Sequence, residues 1–180
     1  MKISLLRCLM LACLAPATHP APLSAAPTYQ ISLINMRPLP GWKGHPVGKI
    51  AITTPEGKHL QLTKSATAQQ PKVTRSGLVG WIDCSKPSEP AALNVVKGVP
   101  IGSHLILRKP DGSLITITSV KPIIEEWGFN PDGIHIVLKS RALHGPAVIE
   151  RFSIQNGSKA GACLAYVSTA PTWAKPYLEQ

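Results

Sequence analysis

Five short turns constrain this chain more than anything else in it. "TPEGK" (54–58), "RSG" (75–77), "KPDGS" (109–113), "NPDG" (130–133) and "QNGS" (155–158) all carry a glycine at or next to their end. A polar residue before glycine suits a β-hairpin. Its side chain accepts from nearby backbone amides, and glycine takes positive φ without a Cβ clash. Apolar residues flank every turn. Segments of 49–62 and 104–117 align at an offset of 55, so that Ile50 matches Leu105 and Ile52 matches Leu107. On both sides of each turn apolar and polar residues alternate, which is the period of a strand. A second alignment, at 56, sets Leu78 and Ile82 against Ile134 and Leu138, with Gly80 opposite Ile136. It marks Ile134, Ile136 and Leu138 as one buried strand face. A third half-copy follows at 147–167, and no long helical pattern follows Thr28. With 18 prolines, 14 glycines and only 16% charged residues, short elements and turns are expected.

One stretch is specific enough to name. "WGFNPDGIHIVLKS" (127–140) resembles the Pro-Asp-Gly blade repeat, a relative of the WD-type β-propeller repeat found in many exported bacterial proteins. The resemblance rests on Trp127, Phe129, Pro131, Asp132, Gly133, Ile134, Ile136, Leu138 and Ser140. It is clearest over 125–157 and weaker over 70–117. It implies an all-β fold of antiparallel hairpins forming about two to three propeller-like blades. A closed propeller needs typically 4–8 blades of four strands, more than 180 residues hold at this spacing. Open sheets leave unpaired edges. The tail 168–180, the segment 37–48 or another chain is expected to cover them, and self-association through the edges is one outcome.

The N-terminus reads as an export signal. Lys2 and Arg7 precede a short apolar run, Cys8 to Ala15, too short to span a bilayer. Ser24 and Ala26 offer small residues for cleavage after Ala26. The expected organisation is a signal peptide (1–26), a lead-in (27–47), one all-β domain (48–167) and a tail (168–180). The mature chain is then periplasmic or secreted. Alternatively "MLAC" (10–13) resembles a lipoprotein cleavage box, with Cys13 carrying a lipid anchor. No later segment reads as transmembrane. Losing Lys2 and Arg7 takes the net charge from +10 to +8. The remaining basic residues are scattered, which favours a basic surface over a nucleic-acid site. Cys84 and Cys163 are candidates for one disulfide in an oxidising compartment.

Recognisable chemistry is sparse. Asp132 stands in a turn equivalent to those of Asp111 and Glu56, which favours a turn-forming carboxylate. Glu125 and Glu126 are neighbours, and neighbours in an extended strand point to opposite faces. His135 and His144 lie too far apart in sequence, without further ligands, for a zinc site. No metal or cofactor is expected. Neither a G-x-S-x-G nor a phosphate loop is present. These observations favour an exported non-enzymatic β-scaffold binding a protein partner or an envelope component. Arg141 and His144, in the connector 140–146, are its candidate binding residues, because loops on a rigid sheet carry binding groups. The corresponding connector is 85–102. Two alternatives stand beside it: a small exported hydrolase using Glu125, Asp132, His135 or His144, and a binder of anionic lipid or acidic glycan.

Overall fold

The computed structural model describes residues 28–40 and 44–178. The expected signal peptide and Cys13 lie outside the described residues. All five turn glycines adopt positive φ: +81° at Gly57, +82° at Gly77, +89° at Gly112, +72° at Gly133 and +75° at Gly157. In the 54–58 turn the Gly57 amide donates to the Thr54 carbonyl and the Thr54 amide to that of Lys58, both at 2.9 Å. The 109–113 turn repeats this pattern at the same distances, through Gly112, Lys109 and Ser113. A tight turn closed by a left-handed glycine matches the twist of the strands it joins.

The hairpins build two main antiparallel sheets. The first contains β1 (Gln30–Arg37), β2 (Val47–Thr53), β3 (His59–Gln61), β4 (Ala68–Val73) and β5 (Val79–Asp83). A connector follows, holding two small hairpins: β6 (Ser85–Lys86) with β7 (Glu89–Leu93), and β8 (Val95–Val96) with β9 (Val99–Pro100). The sheet then resumes with β10 (His104–Arg108) and β11 (Leu114–Thr118), in the order β1-β2-β4-β5-β10-β11, with β3 also on β2. The second sheet is a four-stranded meander of β12 (Ile123–Phe129), β13 (His135–Arg141), β14 (Val148–Ser153) and β15 (Lys159–Leu164). A 3-10 helix, Thr172–Tyr177, ends the described chain. The fold is therefore all-β and propeller-like, and neither main sheet closes on itself.

Layers explain the burial. The unit β4-β5-β10-β11 packs on β12–β15 through Ile82, Leu105, Leu107, Trp127, Ile136, Leu138 and Phe152. Its other face, with Val79 and Trp81, lies against Ile50 and Ile52 of β2 and partly buried Ile31 and Leu33 of β1. The far face of the second sheet, with Val137 and Ile149, is covered by Ala174, Trp173 and Tyr177 of the terminal helix. The lead-in thus contributes a strand of the domain, Gln30–Arg37, and residues 170–178 of the tail cover a sheet face. Among the described residues no helix is long and apolar enough to cross a membrane.

Three sequence expectations change. Ile134 is 61% exposed, whereas Ile136 and Leu138 are buried. The 130–135 turn is one residue longer than its counterpart in the first unit: the Asn130 amide donates to His135, five residues on, where Thr74 donates to Leu78, four on. The extra residue pushes Ile134 off the strand. It also shifts the repeat. Lys72 pairs with Gly80 as Gly128 pairs with Val137, so Gly80 corresponds to Val137 and not to Ile136. A one-residue slip exchanges the faces of a strand. Finally, Cys84 and Cys163 are both free thiols. Cys84 lies between the two sheets and Cys163 on the opposite face of the second, under the terminal helix. Packed sheets are about 10 Å apart, beyond the Cα separation of about 7 Å that a disulfide spans. Burial pushes the Cys84 thiol up to about 12, with the Asp83 carboxylate adding to it.

Candidate functional site

The two innermost strands, β4 and β12, each carry a bulge. Between Gln69 and Lys72 the β4 register on β5 slips, and between Ile124 and Glu126 the β12 register on β13 slips. Bulges re-aim side chains and are frequent beside functional sites. On β4 the bulge holds Gln70 at a φ of +47°. On β12 it inserts Glu125, so that Ile124 and Trp127, three apart, both face the core.

β12 ends its sheet, and two of its outward carbonyls are capped by side chains from β4. Gln70 Nε2 donates to the Glu125 carbonyl at 2.7 Å, and Lys72 Nζ donates to that of Trp127. In return, Trp127 Nε1 donates to the Gln70 carbonyl at 2.9 Å. The Lys72 ammonium also lies 5.3 Å from the centre of the Trp127 ring. This part of the exposed edge is closed by side chains rather than by another strand. Each buried carbonyl left without a donor would cost about 1–3 kcal/mol.

Around these contacts opens a cleft of about 540 Å³, lined by His45, Gln70, Pro71, Lys72, Glu125, Glu126 and Lys139. Glu125 and Glu126 therefore share a site, against the alternation argument, because a residue in a bulge does not alternate. Glu125 Oε1 is held by Arg141 Nε at 2.7 Å. Glu126 stands directly across from Lys139 on β13. Burial lowers the proton affinity of Lys72, opposed by the Glu126 carboxylate. Tyr177, from the terminal helix, has its hydroxyl pushed up by burial and by the same carboxylate. Gly128 admits it: a Cβ there would meet Tyr177 Oη at 2.5 Å and Lys72 Nζ at 3.6 Å.

The other expected site residues do not converge here. Asp132 and His135 meet each other, with Oδ2 and Nδ1 2.7 Å apart. Asp132 Oδ1 also accepts from the Ile134 and His135 amides at 3.0 Å each. Burial would raise the Asp132 pKa, but the His135 hydrogen bond and these amides outweigh it and hold it below the usual range. The pair sits at one end of β13. Arg141 and Glu125 sit at the other, six residues away, or roughly 20 Å at strand spacing. The hydrolase set Glu125, Asp132, His135 and His144 is thus not one constellation. Arg141 is engaged by Glu125, and His144 lies exposed in the 142–146 loop.

A second polar cluster escaped the sequence reading. Glu150 is fully buried between the sheets. Ser119 Oγ donates to its Oε2 at 2.5 Å and the Val120 amide at 3.0 Å. Lys159 Nζ lies 2.6 Å from Oε1, outside hydrogen-bonding angles. Ser119 Oγ is also hydrogen-bonded to Ser140 Oγ, with Ser140 donating because the single Ser119 proton goes to the carboxylate. This cluster fixes the connector between the two sheets. In sequence Glu150 looks like an ordinary strand acid, and only the matching position on β10, Ile106, hints that its site faces inward. Among the described residues no three His, Cys, Asp or Glu side chains converge as a metal would need.

No family model and no curated protein matches the chain. Among solved structures it is similar to a gluconolactonase from Xanthomonas campestris, at 17% identity and a TM-score of 0.43. The match covers 69% of this chain and 46% of that one, so the chain spans less than half of that structure's length. Against the expectation of a protein without catalytic activity, that neighbour is an enzyme. A likeness of this size carries no particular activity across.

Proposed function

We propose that the chain is a small exported hydrolase acting on a compact polar molecule in the cleft between β4 and β12. The observation that carries this reading is the pairing of unlike groups across two bulged strands. Lys72, a half-buried ammonium, faces the cleft from one sheet, and Glu126, an exposed carboxylate, faces it from the other. A cleft of this size falls within the usual range for small-molecule sites. Glu126 takes the proton from an attacking water. Lys72, with donors left over after the Trp127 carbonyl, stabilises the negative charge that develops on the substrate carbonyl oxygen. Glu125, fixed by Arg141, holds the rim. The hydrolase site is therefore moved from the Asp132–His135 turn to the bulged edge.

The test is a panel of small esters, lactones and amides, aldonolactones included, offered to residues 27–180. Turnover is expected for at least one class, falling about 10²–10⁴-fold in Glu126→Gln. Turnover that survives both Glu126→Gln and Lys72→Met would place the chemistry elsewhere, and no turnover in any class would refute the reading.

A further inference from the structure

Where the terminal helix meets the second sheet there is another pocket, which shares no lining residue with the cleft. Its volume is about 410 Å³, within the usual range for small-molecule sites. Pro131 of the β12–β13 turn, Arg151 of β14, and Trp173 and Pro176 of the helix wall it, with Asn130 and Thr172 beside them. Arg151 stands between Val137 and Gly161 on the neighbouring strands. Gly161 leaves room for the indole: a Cβ there would lie 3.2 Å from Trp173 Cζ2. The Arg151 guanidinium lies over that indole, its carbon 5.1 Å from the ring centre. A guanidinium carries five N–H donors. One of them goes to the Ala160 carbonyl, at 3.4 Å. Nε is buried with no acceptor, and among the described residues no carboxylate pairs with Arg151. Asp132, beside Pro131 in sequence, is already held by His135, by Asn130 Nδ2 and by two amides of its own turn.

We infer that this pocket binds a small aromatic carboxylate, its acid group on Arg151 and its ring against Trp173, Pro131 and Pro176. The site is separate from the cleft and does not rest on the hydrolase reading. A carboxylate matches the planar guanidinium fork with two parallel hydrogen bonds, and Arg151 has donors left to give them. Its place over the indole holds the fork before a ligand arrives. One cation among the lining residues suits one negative charge and leaves a dianion half compensated. The remaining wall is built largely of rings, and Pro131 and Pro176 are exposed. A flat apolar body takes these rings out of water, which acetate or an inorganic anion cannot do. An uncharged ring covers the same surface but leaves the guanidinium without a counter-charge.

The test is titration of isotope-labelled residues 27–180 with phenylacetate, phenylacetamide, acetate and phosphate, followed by NMR at the Trp173 indole and Arg151 Nε–H signals. Phenylacetate is expected to move both signals and to bind about tenfold or more tightly than each of the other probes. Arg151→Gln should bring phenylacetate down to the level of phenylacetamide, and an unchanged affinity for the amide shows that the pocket is still formed. Arg151→Lys, which keeps the charge without the fork, should keep part of the preference for the acid. Trp173→Leu should bring phenylacetate down to the level of acetate. Equal affinity for phenylacetate and phenylacetamide overturns the inference, as does phosphate binding as tightly as phenylacetate. So does phenylacetate binding that Arg151→Gln leaves unchanged, or the absence of saturable binding by any probe. Shifts centred on the Gln70 side chain and the Trp127 indole would put the ligand in the cleft and overturn it too.

Discussion

In the first four-stranded unit, β4-β5-β10-β11, the second strand offers Gly80 to the core between the sheets. In the second unit, β12–β15, the matching position is Val137, which faces the terminal helix. The third strands differ as well. Pairing with Trp81 and Leu138 sets Ile106 of β10 against Glu150 of β14, one packed among apolar side chains and the other buried with Ser119 and Lys159. One interface lies between two repeats and the other between a repeat and a tail. A repeat that stacks on another repeat must make room for the neighbour's large side chains. One that receives a short helix need only present a small flat face. The copies therefore share turns and strand order and diverge where they touch different partners.

The Trp127–Gly80 contact is where this difference should break most visibly. A Cβ on Gly80 would come within 2.4 Å of the Trp127 ring and 2.9 Å of Leu107. Making the copies alike with Gly80→Val should lower the unfolding free energy by about 1–3 kcal/mol through overpacking. Trp127→Ala, which empties the fully buried ring site, should cost about 3–5 kcal/mol. Val137→Gly, the reverse exchange in the second unit, leaves a void but no clash. A double-mutant cycle by urea denaturation separates these effects. Gly80→Val and Trp127→Ala should be strongly non-additive, because each relieves the other. Additivity would mean that the ring does not occupy the space above Gly80.

How far this was legible from sequence depends on whether each feature has a local cause. The turns were, because left-handed glycine after a polar residue is a local requirement, and all five adopt it. The hairpins followed from the turns, but the pairing of β5 with β10 across the 85–102 connector did not. The burial of Ile136 and Leu138 was legible from alternation, but the alignment of β13 with β5 was not, because one extra turn residue before His135 shifts it by one and alternation cannot reveal where such a residue sits. The cleft was missed for a related reason. Gln70 and Lys72 look like solvent-facing strand residues, and Glu125 and Glu126 look like a solvated pair, until two bulges bring them together. Gln70 to Glu125 and Lys72 to Trp127 are both 55 residues apart, the offset at which 49–62 aligns with 104–117. Arg141 was expected to face a binding partner; in the fold its Nε lies 2.7 Å from Glu125 Oε1.

The buried carboxylate sharpens the contrast between third strands. Lys159→Met removes the cation beside Glu150 and leaves a buried charge supported by Ser119 and the Val120 amide alone. The expected loss is about 1–3 kcal/mol, below the 3–5 typical of fully buried pairs, because the Lys159 side chain is itself about half exposed. Lys109→Met, on the first unit, removes one hydrogen bond to the Gln155 carbonyl at 3.1 Å and should cost well under 1 kcal/mol. Denaturant midpoints at neutral pH compare the two. Equal small losses would show that Ser119 and Val120 suffice for Glu150, and the copies would then be energetically alike at this strand despite their different residues.

The smallest effects belong to what the copies share. Gly57 and Gly112 both hold positive φ, and a Cβ there would meet nothing closer than Arg108 Nη2 at 3.5 Å. Alanine at either should cost about 1–2 kcal/mol from left-handed strain alone, and the two values should agree. Gly157 has nearly the same φ, but a Cβ there would lie 2.7 Å from Ile115 Cγ2 on β11. Gly157→Ala should therefore exceed the other two by whatever moving Ile115 requires, a few tenths to 1 kcal/mol. That excess measures how firmly the β14–β15 turn docks on the outer strand of the first sheet. If all three substitutions cost the same in thermal melts, the turn rests on β11 without bearing on it, and the sheets are held together by their other contacts, the Trp127 core and the Gln70–Lys72 caps among them.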